Sequence, residues 1–419
     1  MLKTVKSVDM CGKRIIMRVD FNVPMKDGVV QDDTRIRAAL PTIKYILDQG
    51  VKSLTLMSHL GDPAKDAKSA REKAEKAGKP FDETAFINGK CRMRPVAEYL
   101  AKVLGKPVIF AGEDGCFGKK AFIDSQPDGS VIMLENTRFN KEETSKDLAE
   151  RDKLAKELAL YGDIFVNDAF GSAHRDHAST ASIAKFIPAV AGFLMEKEVD
   201  YLEPVVNNPK KPLVAIIGGA KVSSKIAVLK NLLKSADALI IGGGMAYTFL
   251  KAQGHKTGLS LVENDQIDTA KDILAAADKA GVKIVLPVDH VAAGSFDAAA
   301  KPELVDSVDL PDNLMGMDVG PKTIELYKKA LEGAKTIVWN GPVGVFEFDA
   351  FSKGTEELAK IIAAATPKGC LTIVGGGDSV AAVNKFHLAD KMSHVSTGGG
   401  ASLELLEGKK LPGIEVCKA

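Results

Sequence analysis

The front half of the chain places arginine, histidine, amide and carboxylate groups directly after short apolar runs. Such segments occupy residues 20–24, 58–61, 135–138 and 167–171, with Arg35 and the pair His174-Arg175 in addition. Arginine forks bind carboxylates and phosphates through two parallel hydrogen bonds and stay charged at any working pH. Any one of these arginines is equally compatible with a structural salt bridge. Together, at the carboxyl ends of strands, they predict a site for a small, multiply charged anion.

The back half carries glycine-rich segments at the corresponding places. They occupy residues 218–221, 242–244, 340–344, 375–379 and 397–400. Glycine lets the backbone approach a ligand closely, and N–H groups at a helix start favour phosphate. One glycine triplet is weak support because tight turns need glycine, whereas five segments predict a phosphate or nucleotide site. Lys221 and Lys225, four apart, are expected on one helix face, and Asp378 could hold Mg²⁺.

Two familiar nucleotide motifs are missing from the sequence. Residues 218–221 have the wrong spacing for a GxxxxGK[ST] P-loop, and no GxGxxG opens a helix with an acidic residue placed for a ribose. These absences argue against a P-loop NTPase and an ordinary dehydrogenase. His174 and His177 could share a metal at i, i+3 spacing, but without a clear third ligand a surface or anion-binding role is favoured.

Length and composition limit the class of protein. A chain of 419 residues with 45% hydrophobic content predicts a globular protein of two domains. A net charge of +1 and the lack of a long basic run predict no nucleic-acid partner. The five cysteines form no CxxC pair, which favours reduced thiols and a cytoplasmic location. Neither a signal-peptide pattern nor an 18-residue apolar run is present, so no membrane partner is expected.

Short apolar runs alternate with helical patterns throughout, which predicts an α/β fold. Strands are expected at residues 15–19, 54–57, 131–134, 164–166, 213–217, 238–241, 284–286, 336–339 and 371–374. Runs without polar alternation are typical of strands buried on both faces, as in doubly wound parallel sheets with right-handed crossovers.

Two further segments bear on the organisation of the chain. Residues 193–206 are amphipathic and precede a polar, proline-containing linker that ends at residue 212, which predicts a connecting helix and a domain boundary near 187–212. Residues 64–83 are rich in Lys, Ala and Glu. A solvated helix or mobile excursion is favoured there, with an anion-recruiting lid as the alternative.

Eight segments of this chain resemble phosphoglycerate kinases, in family order and over nearly the whole length. They are RVDFNVP (18–24), SHLG (58–61), LENTRF (134–139), VNDAFGSAHR (166–175), GGAKVSSK (218–225), WNGPVGVFE (339–347), GGGDS (375–379) and STGGGASLELLEG (396–408). Motifs of this length are specific to the family rather than to kinases in general.

The resemblance implies two doubly wound, Rossmann-like parallel-sheet domains joined by a hinge helix, with the active site in the interdomain cleft. The implied limits are 1–190 for a phosphoglycerate-binding domain with a charged insertion at about 64–90, 191–212 for the hinge and linker, 213–404 for a nucleotide-binding domain, and 405–419 for a segment returning to the first domain. The implied reaction is reversible phosphoryl transfer between 1,3-bisphosphoglycerate and ADP, giving 3-phosphoglycerate and ATP with Mg²⁺. A monomer is expected.

The resemblance also implies roles for individual residues. Substrate binding is expected at Asp20, Phe21, Asn22, Arg35, His59, Leu60, Gly61, Asp62, Arg138 and Arg175. Nucleotide binding is expected at Gly219, Ala220, Lys221, Lys225, Gly243, Gly244, Gly316, Asn340, Pro342, Glu347, Gly376, Gly377, Asp378 and Ser379. Arg35, Lys221, Lys225, Gly399 and Gly400 are the expected catalytic groups, and Asp378 is the expected metal ligand.

One position departs from the family pattern. The family usually continues SHLG with an arginine that helps hold the substrate, whereas this chain has Asp62. An aspartate cannot donate to an anionic phosphate at neutral pH. Either that contact is lost or a basic residue replaces it, and Arg92 is favoured over Lys65 and Lys90.

A catalytically silent binding protein on the same fold is the alternative function. The enzyme is favoured because the chain retains Arg35, Lys225, Glu347 and Asp378. A protein that had lost its catalytic activity would have no chemical need for the whole set.

Overall fold

The chain folds into two compact units in a computed structural model that describes residues 1–419. One unit comprises Met1–Val199 together with Lys410–Ala419, and the other comprises Asp200–Lys409. No helix combines the length and the apolar composition that a bilayer crossing requires.

The first unit is built on a six-stranded sheet and its crossover helices. Its strands are β1 (Arg14–Arg18), β2 (Met25–Lys26), β3 (Val29–Val30), β4 (Ser53–Met57), β5 (Val108–Phe110), β6 (Ser130–Met133), β7 (Ile164–Asn167) and β8 (Ala189–Ala191). Its helices before the unit boundary are α1 (Thr34–Asp48), α2 (Pro63–Lys76), α3 (Glu83–Lys90), α4 (Arg94–Leu104), α5 (Lys120–Asp124) and α6 (Leu148–Ala159).

The sheet of the first unit is parallel throughout, in the order β5-β6-β4-β1-β7-β8. The four strands predicted for the front half are confirmed. Ile15 and Met17 of β1 pack in one buried cluster and Ile16 in another, so both faces of the sheet are covered. The strand order reverses beside β1, and this is where ligands of doubly wound sheets bind.

A helix, α7 (Phe193–Asn207), contains the boundary between the two units, and a connecting helix was predicted there. Its first turn is anchored in the first unit. Asp168 Oδ1 accepts a hydrogen bond from the backbone N–H of Leu194 at 2.9 Å, and Thr42 Oγ1 accepts one from that of Phe193 at 3.0 Å. The side chains thereby satisfy N–H groups that a helix start leaves unpaired.

The second unit has a second six-stranded parallel sheet and a smaller antiparallel one. Its strands are β9 (Leu213–Ile217), β10 (Ala238–Ile241), β11 (Lys283–Val285), β12 (His290–Ala293), β13 (Glu303–Val305), β14 (Met315–Val319), β15 (Thr336–Asn340), β16 (Leu371–Gly375) and β17 (His394–Val395). Its helices are α8 (Ile226–Leu232), α9 (Ala246–Ala252), α10 (Ile267–Ala280), α11 (Pro321–Leu331), α12 (Lys353–Ala365), α13 (Gly377–Lys385) and α14 (Gly400–Leu406).

The parallel sheet of the second unit runs in the order β11-β10-β9-β15-β16-β17. All five strands predicted for the back half lie in it. The order reverses between β9 and β15, whose carboxyl ends lead into residues 218–225 and 341–347. Two of the five glycine-rich segments, 218–221 and 340–344, therefore lie at the switch point of this sheet.

The expectation that strand and helix alternate throughout is wrong between residues 290 and 319. Strands β12, β13 and β14 form an antiparallel sheet in the order β13-β12-β14. Short strands separated by polar loops give no crossover-helix signal, and a weak alternation pattern is easily missed. This sheet contains Gly316 and Asp318, which line a cavity together with Gly219 and Gly243.

The C-terminal residues belong to the first unit. A final helix, α15 (Pro412–Glu415), follows Lys410, where the chain re-enters that unit. The Cys417 carbonyl accepts a hydrogen bond from the Lys3 backbone N–H at 2.8 Å, and Asn167 Nδ2 donates to the Gly413 carbonyl at 3.1 Å.

Candidate functional site

The residues predicted to bind an anion in the first unit converge where β1 and β4 end. Arg35, on the first turn of α1, donates from Nη1 to Asp20 Oδ1 at 2.9 Å. Asn22 Oδ1 accepts from the backbone N–H of Gly61 at 2.8 Å, which ties the loop after β1 to the loop after β4. Three separate segments of the chain, around Asp20, Arg35 and Gly61, thereby form one polar edge, with the Arg35 side chain 37% exposed.

Arg138 joins this edge from the loop after β6. Its Nη1 donates to the Gly61 carbonyl at 3.1 Å, and its backbone N–H is held by Asn136 Oδ1 at 3.1 Å. The buried Nε has no hydrogen-bond partner in the protein. Arg175 is exposed in the loop after β7. The unit therefore presents cationic donors from three different strand ends.

His59 lies behind these arginines and is buried. Its Nδ1 is 3.0 Å from Nη2 of Arg18, a guanidinium that is itself 1% exposed. Burial, followed by the charge of Arg18, holds the pKa of His59 well below its usual value, so the ring is neutral. Sequence reasoning missed Arg18, although a charge inside an apolar strand was a signal that could have found it.

Three of the predicted substrate residues do not present a free side chain. Phe21 and Leu60 lie in the core, so a ligand could contact only their backbone. Asp62 caps α2: its Oδ1 accepts from the Lys65 backbone N–H at 3.2 Å, while Asp66 Oδ2 accepts from the Asp62 backbone N–H at 2.7 Å. The departure from the family pattern thus has a structural role as a helix cap.

Arg92 is a poor replacement for the missing arginine. Its Nη1 donates to the Glu113 carbonyl at 2.9 Å and to Glu135 Oε2 at 3.0 Å, and its guanidinium lies 4.4 Å from the Phe139 ring centroid. Because Glu135 is fully buried, moving Arg92 would leave that carboxylate without its cation. These contacts argue against the hypothesis that Arg92 binds substrate.

The segment after Asp62 folds as α2 and α3, with only Pro63 and Ala67 of α2 buried. The solvated-helix interpretation is therefore the one that the structure supports.

A cavity of about 230 Å³ in the second unit gathers the predicted phosphate-binding residues. Its lining includes Gly219, Ala220, Lys225, Asn340, Gly376, Gly377, Asp378 and Ser379. Lys225 Nζ donates to Asn340 Oδ1 at 2.5 Å, while Asn340 Nδ2 is buried without a partner. Gly376, at φ +86°, caps the start of α13, where free N–H groups and the helix dipole attract anions. Cationic, amide and backbone donors thus surround one small cavity.

The two lysines of this region do not share a helix face, so that expectation is wrong. Residues 218–225 form a turn-containing loop, and α8 starts only at Ile226 with Lys225 as its cap. Lys225 points into the cavity, where burial lowers its pKa and Asp378 opposes that shift. Lys221 is exposed and lines neither cavity of this site.

A second cavity, of about 560 Å³, adjoins the first and is more apolar. The predicted residues that line it are Gly219, Ala220, Gly243, Gly244, Gly316, Pro342, Glu347 and Asp378. Sequence reasoning missed its wall of large side chains, which includes Leu259, Leu261 and Phe296, half exposed or more. Apolar side chains left open to solvent around a cavity suit a flat aromatic ligand.

Two glycines are required by the close packing of this wall. A Cβ on Gly316 would lie 1.7 Å from Tyr247 Oη, and one on Gly243, at φ +69°, would lie 2.7 Å from the Gly219 carbonyl oxygen. Glycine therefore lets backbone form the cavity surface at these positions.

The remaining predicted groups also lie at a helix start. Gly399, at φ +51°, caps α14, and Gly400 is its first residue. Ser396 Oγ accepts from the Gly398 backbone N–H at 3.2 Å and is 2.5 Å from Ser402 Oγ, which fixes the turn.

The donor set around Asp378 suits a magnesium ion carried by a nucleotide. Asp378 is exposed at the start of α13 and lines both cavities. Mg²⁺ in phosphate sites takes one or two protein carboxylates and completes its shell with phosphate oxygens and water. One free carboxylate beside Lys225 and an unpartnered amide donor fits that pattern.

His174 and His177 do not belong to a cluster of three or more metal-ligating side chains. His177 Nδ1 lies 4.0 Å from Glu143 Oε1, and burial lowers its pKa to about 3.

Comparisons with known proteins agree on one family. The family model for phosphoglycerate kinase matches residues 5–409. A phosphoglycerate kinase of Treponema pallidum is 61% identical over 415 residues, 99% of each chain, and one of Borrelia turicatae is 51% identical over 417 residues, again 99% of each.

Solved structures give the same result. The structure of phosphoglycerate kinase from Coxiella burnetii matches with a TM-score of 0.85 and 42% identity, covering 100% of this chain and 99% of that one. That from Pyrococcus horikoshii matches with a TM-score of 0.75 and 31% identity, covering 99% and 98%. The chain belongs to the phosphoglycerate kinase family.

Proposed function

We propose that this chain catalyses reversible phosphoryl transfer between 1,3-bisphosphoglycerate and ADP, giving 3-phosphoglycerate and MgATP. The observation that carries the proposal is that this member of the family has two different sets of binding groups. A cationic edge formed by Arg35 and Arg138, with the neutral ring of His59 beside it, fits a phosphorylated carboxylate. A phosphate-sized cavity around Lys225 adjoins a larger apolar cavity that fits a nucleoside.

Both sets of groups suit the chemistry of the transfer. A phosphoryl group passes through a loose transition state, so catalysis rests on alignment and charge stabilisation. A carboxylate acceptor needs no strong general base, and no Ser–His or Cys–His nucleophile pair is required. We assign transition-state charge to Arg35 and Lys225, with Lys221 and the backbone N–H groups of Gly399 and Gly400 as further donors.

The remaining residues would hold the two substrates. Asp20, Asn22, His59, Arg138 and Arg175 would bind phosphoglycerate. Glu347 would accept from the ribose hydroxyls, and Asn340 with residues 376–379 would hold nucleotide phosphates. Asp378 would hold Mg²⁺, which neutralises charge on nucleotide oxygens when bound.

The two sets of groups belong to different units of the chain, so transfer requires them to come together. We propose that closure aligns donor and acceptor and keeps water from the acyl phosphate. Scattering that showed no compaction with both substrates bound would contradict this. We further propose that the protein is a monomer of the cytoplasm, where its five free cysteines stay reduced.

A coupled assay with 3-phosphoglycerate, ATP and Mg²⁺ tests the function. ADP production that depends on 3-phosphoglycerate is expected, and it should be lost in Lys225→Met. Well-folded protein that produces no such ADP would overturn the proposal in favour of a catalytically silent binding protein. Binding of both substrates by calorimetry, without turnover, would identify that alternative.

A further inference from the structure

A chain of buried polar groups lies behind His59, and no substrate role accounts for it. Arg18, in β1, is 1% exposed, and its Nη2 lies 3.0 Å from His59 Nδ1. A buried guanidinium is costly unless it is paired with an opposite charge and hydrogen-bonded. Because Arg18 lies beneath the anion-binding edge and contacts His59, we connect its function with that of His59.

The geometry fixes which ring nitrogen of His59 carries the proton. A guanidinium has only donors and keeps its charge in proteins. Nδ1 of His59 must therefore accept from Arg18, so the proton of a neutral ring is on Nε2. This is the only hydrogen bond that His59 makes within the protein through its side chain, and Nε2 remains for a ligand.

The charges around His59 oppose a second proton. Arg18, Arg138, Arg35 and His177 all lower its pKa, in addition to burial. These groups come from β1, α1 and the loops after β6 and β7, so cations surround the ring on several sides. The ring therefore stays neutral at physiological pH.

Arg18 is connected, through the hydroxyl of Ser179, to the fully buried carboxylate of Glu143. Its Nε donates to Ser179 Oγ at 2.9 Å, and that hydroxyl donates to Glu143 Oε1 at 2.5 Å. The Ser179 backbone N–H donates to Glu143 Oε2 at 3.0 Å. Arg18 Nη1 also donates to the Val19 carbonyl. The guanidinium thus has a fixed position, and Glu143 balances its charge without reaching His59.

We propose that Arg18, held by Ser179 and Glu143, is a positioning residue that keeps His59 neutral with its proton on Nε2. His59 then offers phosphoglycerate a hydrogen-bond donor rather than a positive charge, and the arginines supply the charge of the site. This inference rests on the proposed role of His59 in phosphoglycerate binding. It predicts that donation by His59 is independent of pH across the physiological range.

The tautomer can be measured directly in the intact protein. The full chain is labelled with ¹⁵N-histidine, and His59 is assigned among the seven histidines by the signal lost in His59→Gln. Two-bond ¹⁵N–¹H spectra from pH 5.5 to 8 are expected to show only the Nε2–H ring. An Nδ1–H ring, or an imidazolium near pH 6.5, would overturn the inference. The readout does not depend on turnover, so it is separate from a failure of the proposed function.

A charge-neutral double variant tests the role of Arg18. Arg18→Gln combined with Glu143→Gln removes the buried cation and its counter-charge together, which avoids an unpaired buried carboxylate. An Nδ1–H fraction, or protonation of His59 below pH 6, is expected to appear. A spectrum identical to that of the native protein would contradict the role of Arg18. Native ring signals from the other histidines, together with a native far-UV circular dichroism spectrum, would show that the variant is folded.

Two substitutions of His59 test the functional consequence. Glutamine places an amide donor where Nε2 lies, whereas asparagine places one near Nδ1. Both variants are expected to raise the KM for 3-phosphoglycerate, and His59→Asn is expected to raise it about tenfold more than His59→Gln does, as for loss of a hydrogen bond to a charged group. Equal effects of the two would contradict the proposed tautomer.

Discussion

Asp318 provides a quantitative test of how burial affects a carboxyl group in the second unit. The side chain is 2% exposed on β14. Its Oδ2 accepts from the Gly354 backbone N–H at 2.6 Å, while Oδ1 has no hydrogen-bond partner. Burial raises the pKa of this carboxyl from 3.8 to about 7. The native state therefore binds the Asp318 proton more tightly than the unfolded chain does.

The sign and size of the effect follow from that pKa. The stability that the protonated carboxyl contributes is complete below the unfolded pKa of 3.8 and is lost as pH rises through about 7. In the unfolded chain this carboxyl is almost fully deprotonated at both pH 5 and pH 8. In the native state it keeps its proton at pH 5 and loses it only as the pH approaches 8. With about 1.4 kcal/mol per pKa unit, the loss of stability over this interval is about 2–3 kcal/mol.

Asp318→Asn removes the titration but keeps an acceptor for Gly354. The variant is therefore expected to gain stability relative to the native protein on going from pH 5 to pH 8, by about 2–3 kcal/mol. Urea unfolding followed by tryptophan fluorescence measures this in the right unit, because the single tryptophan, Trp339, is buried on β15. Comparing variant and native protein at each pH cancels the other titrating groups.

Asp312→Asn is the matched control, since Asp312 is exposed six residues earlier in the same segment. It is expected to give the same small difference at both pH values. A difference between Asp318→Asn and native protein that did not change with pH would refute the reasoning that burial raises this pKa.

Three further substitutions test the two halves of the site. Arg35→Ala is expected to reduce kcat by about 10²–10³ if Arg35 stabilises transition-state charge; a change in the KM for phosphoglycerate alone would contradict that role. Asp62→Arg is expected to lower the KM for 3-phosphoglycerate while destabilising the cap of α2 by about 1 kcal/mol, with Asp62→Asn as the cap-preserving control. Gly316→Ala places a methyl group against Tyr247, so we expect a destabilisation of about 1–3 kcal/mol and a higher KM for ADP. Gly294→Ala, whose methyl group would meet only the Asn313 carbonyl oxygen at an ordinary van der Waals distance of 3.8 Å, should leave both unchanged.

The candidate site was predicted from sequence where its chemistry is local. Asp20 and His59 lie two residues after their strands, Asn340 is the last residue of β15, and a glycine caps the helix after β16, as the segments themselves suggested. Arg18 was missed because a single charged residue within an apolar strand suggests no particular role until its partner in the fold is known. The apolar wall around Phe296 was missed because single exposed apolar residues in loops carry no pattern.

Arg92 shows the limit of sequence position as a guide. It lies near the place where the charged segment rejoins the core, which made it a reasonable substitute for the arginine missing at Asp62. In the fold, its partner Glu135 is 43 residues away and fully buried. The position of Arg92 in the sequence did not indicate that Glu135 would be buried and would need Arg92 as its cation.

The sequence by itself determined the parallel strands, the polar or glycine-rich segment that follows each of them, and the aspartate at position 62. These depend on burial periodicity and on backbone freedom, which act within a few residues. Only the tertiary structure decided that Lys225 caps a helix and reaches Asn340, that residues 290–319 form an antiparallel sheet, and that Arg18 lies against His59. The two side-chain contacts join residues 41 and 115 positions apart, and their energies depend on how the whole chain packs and excludes water.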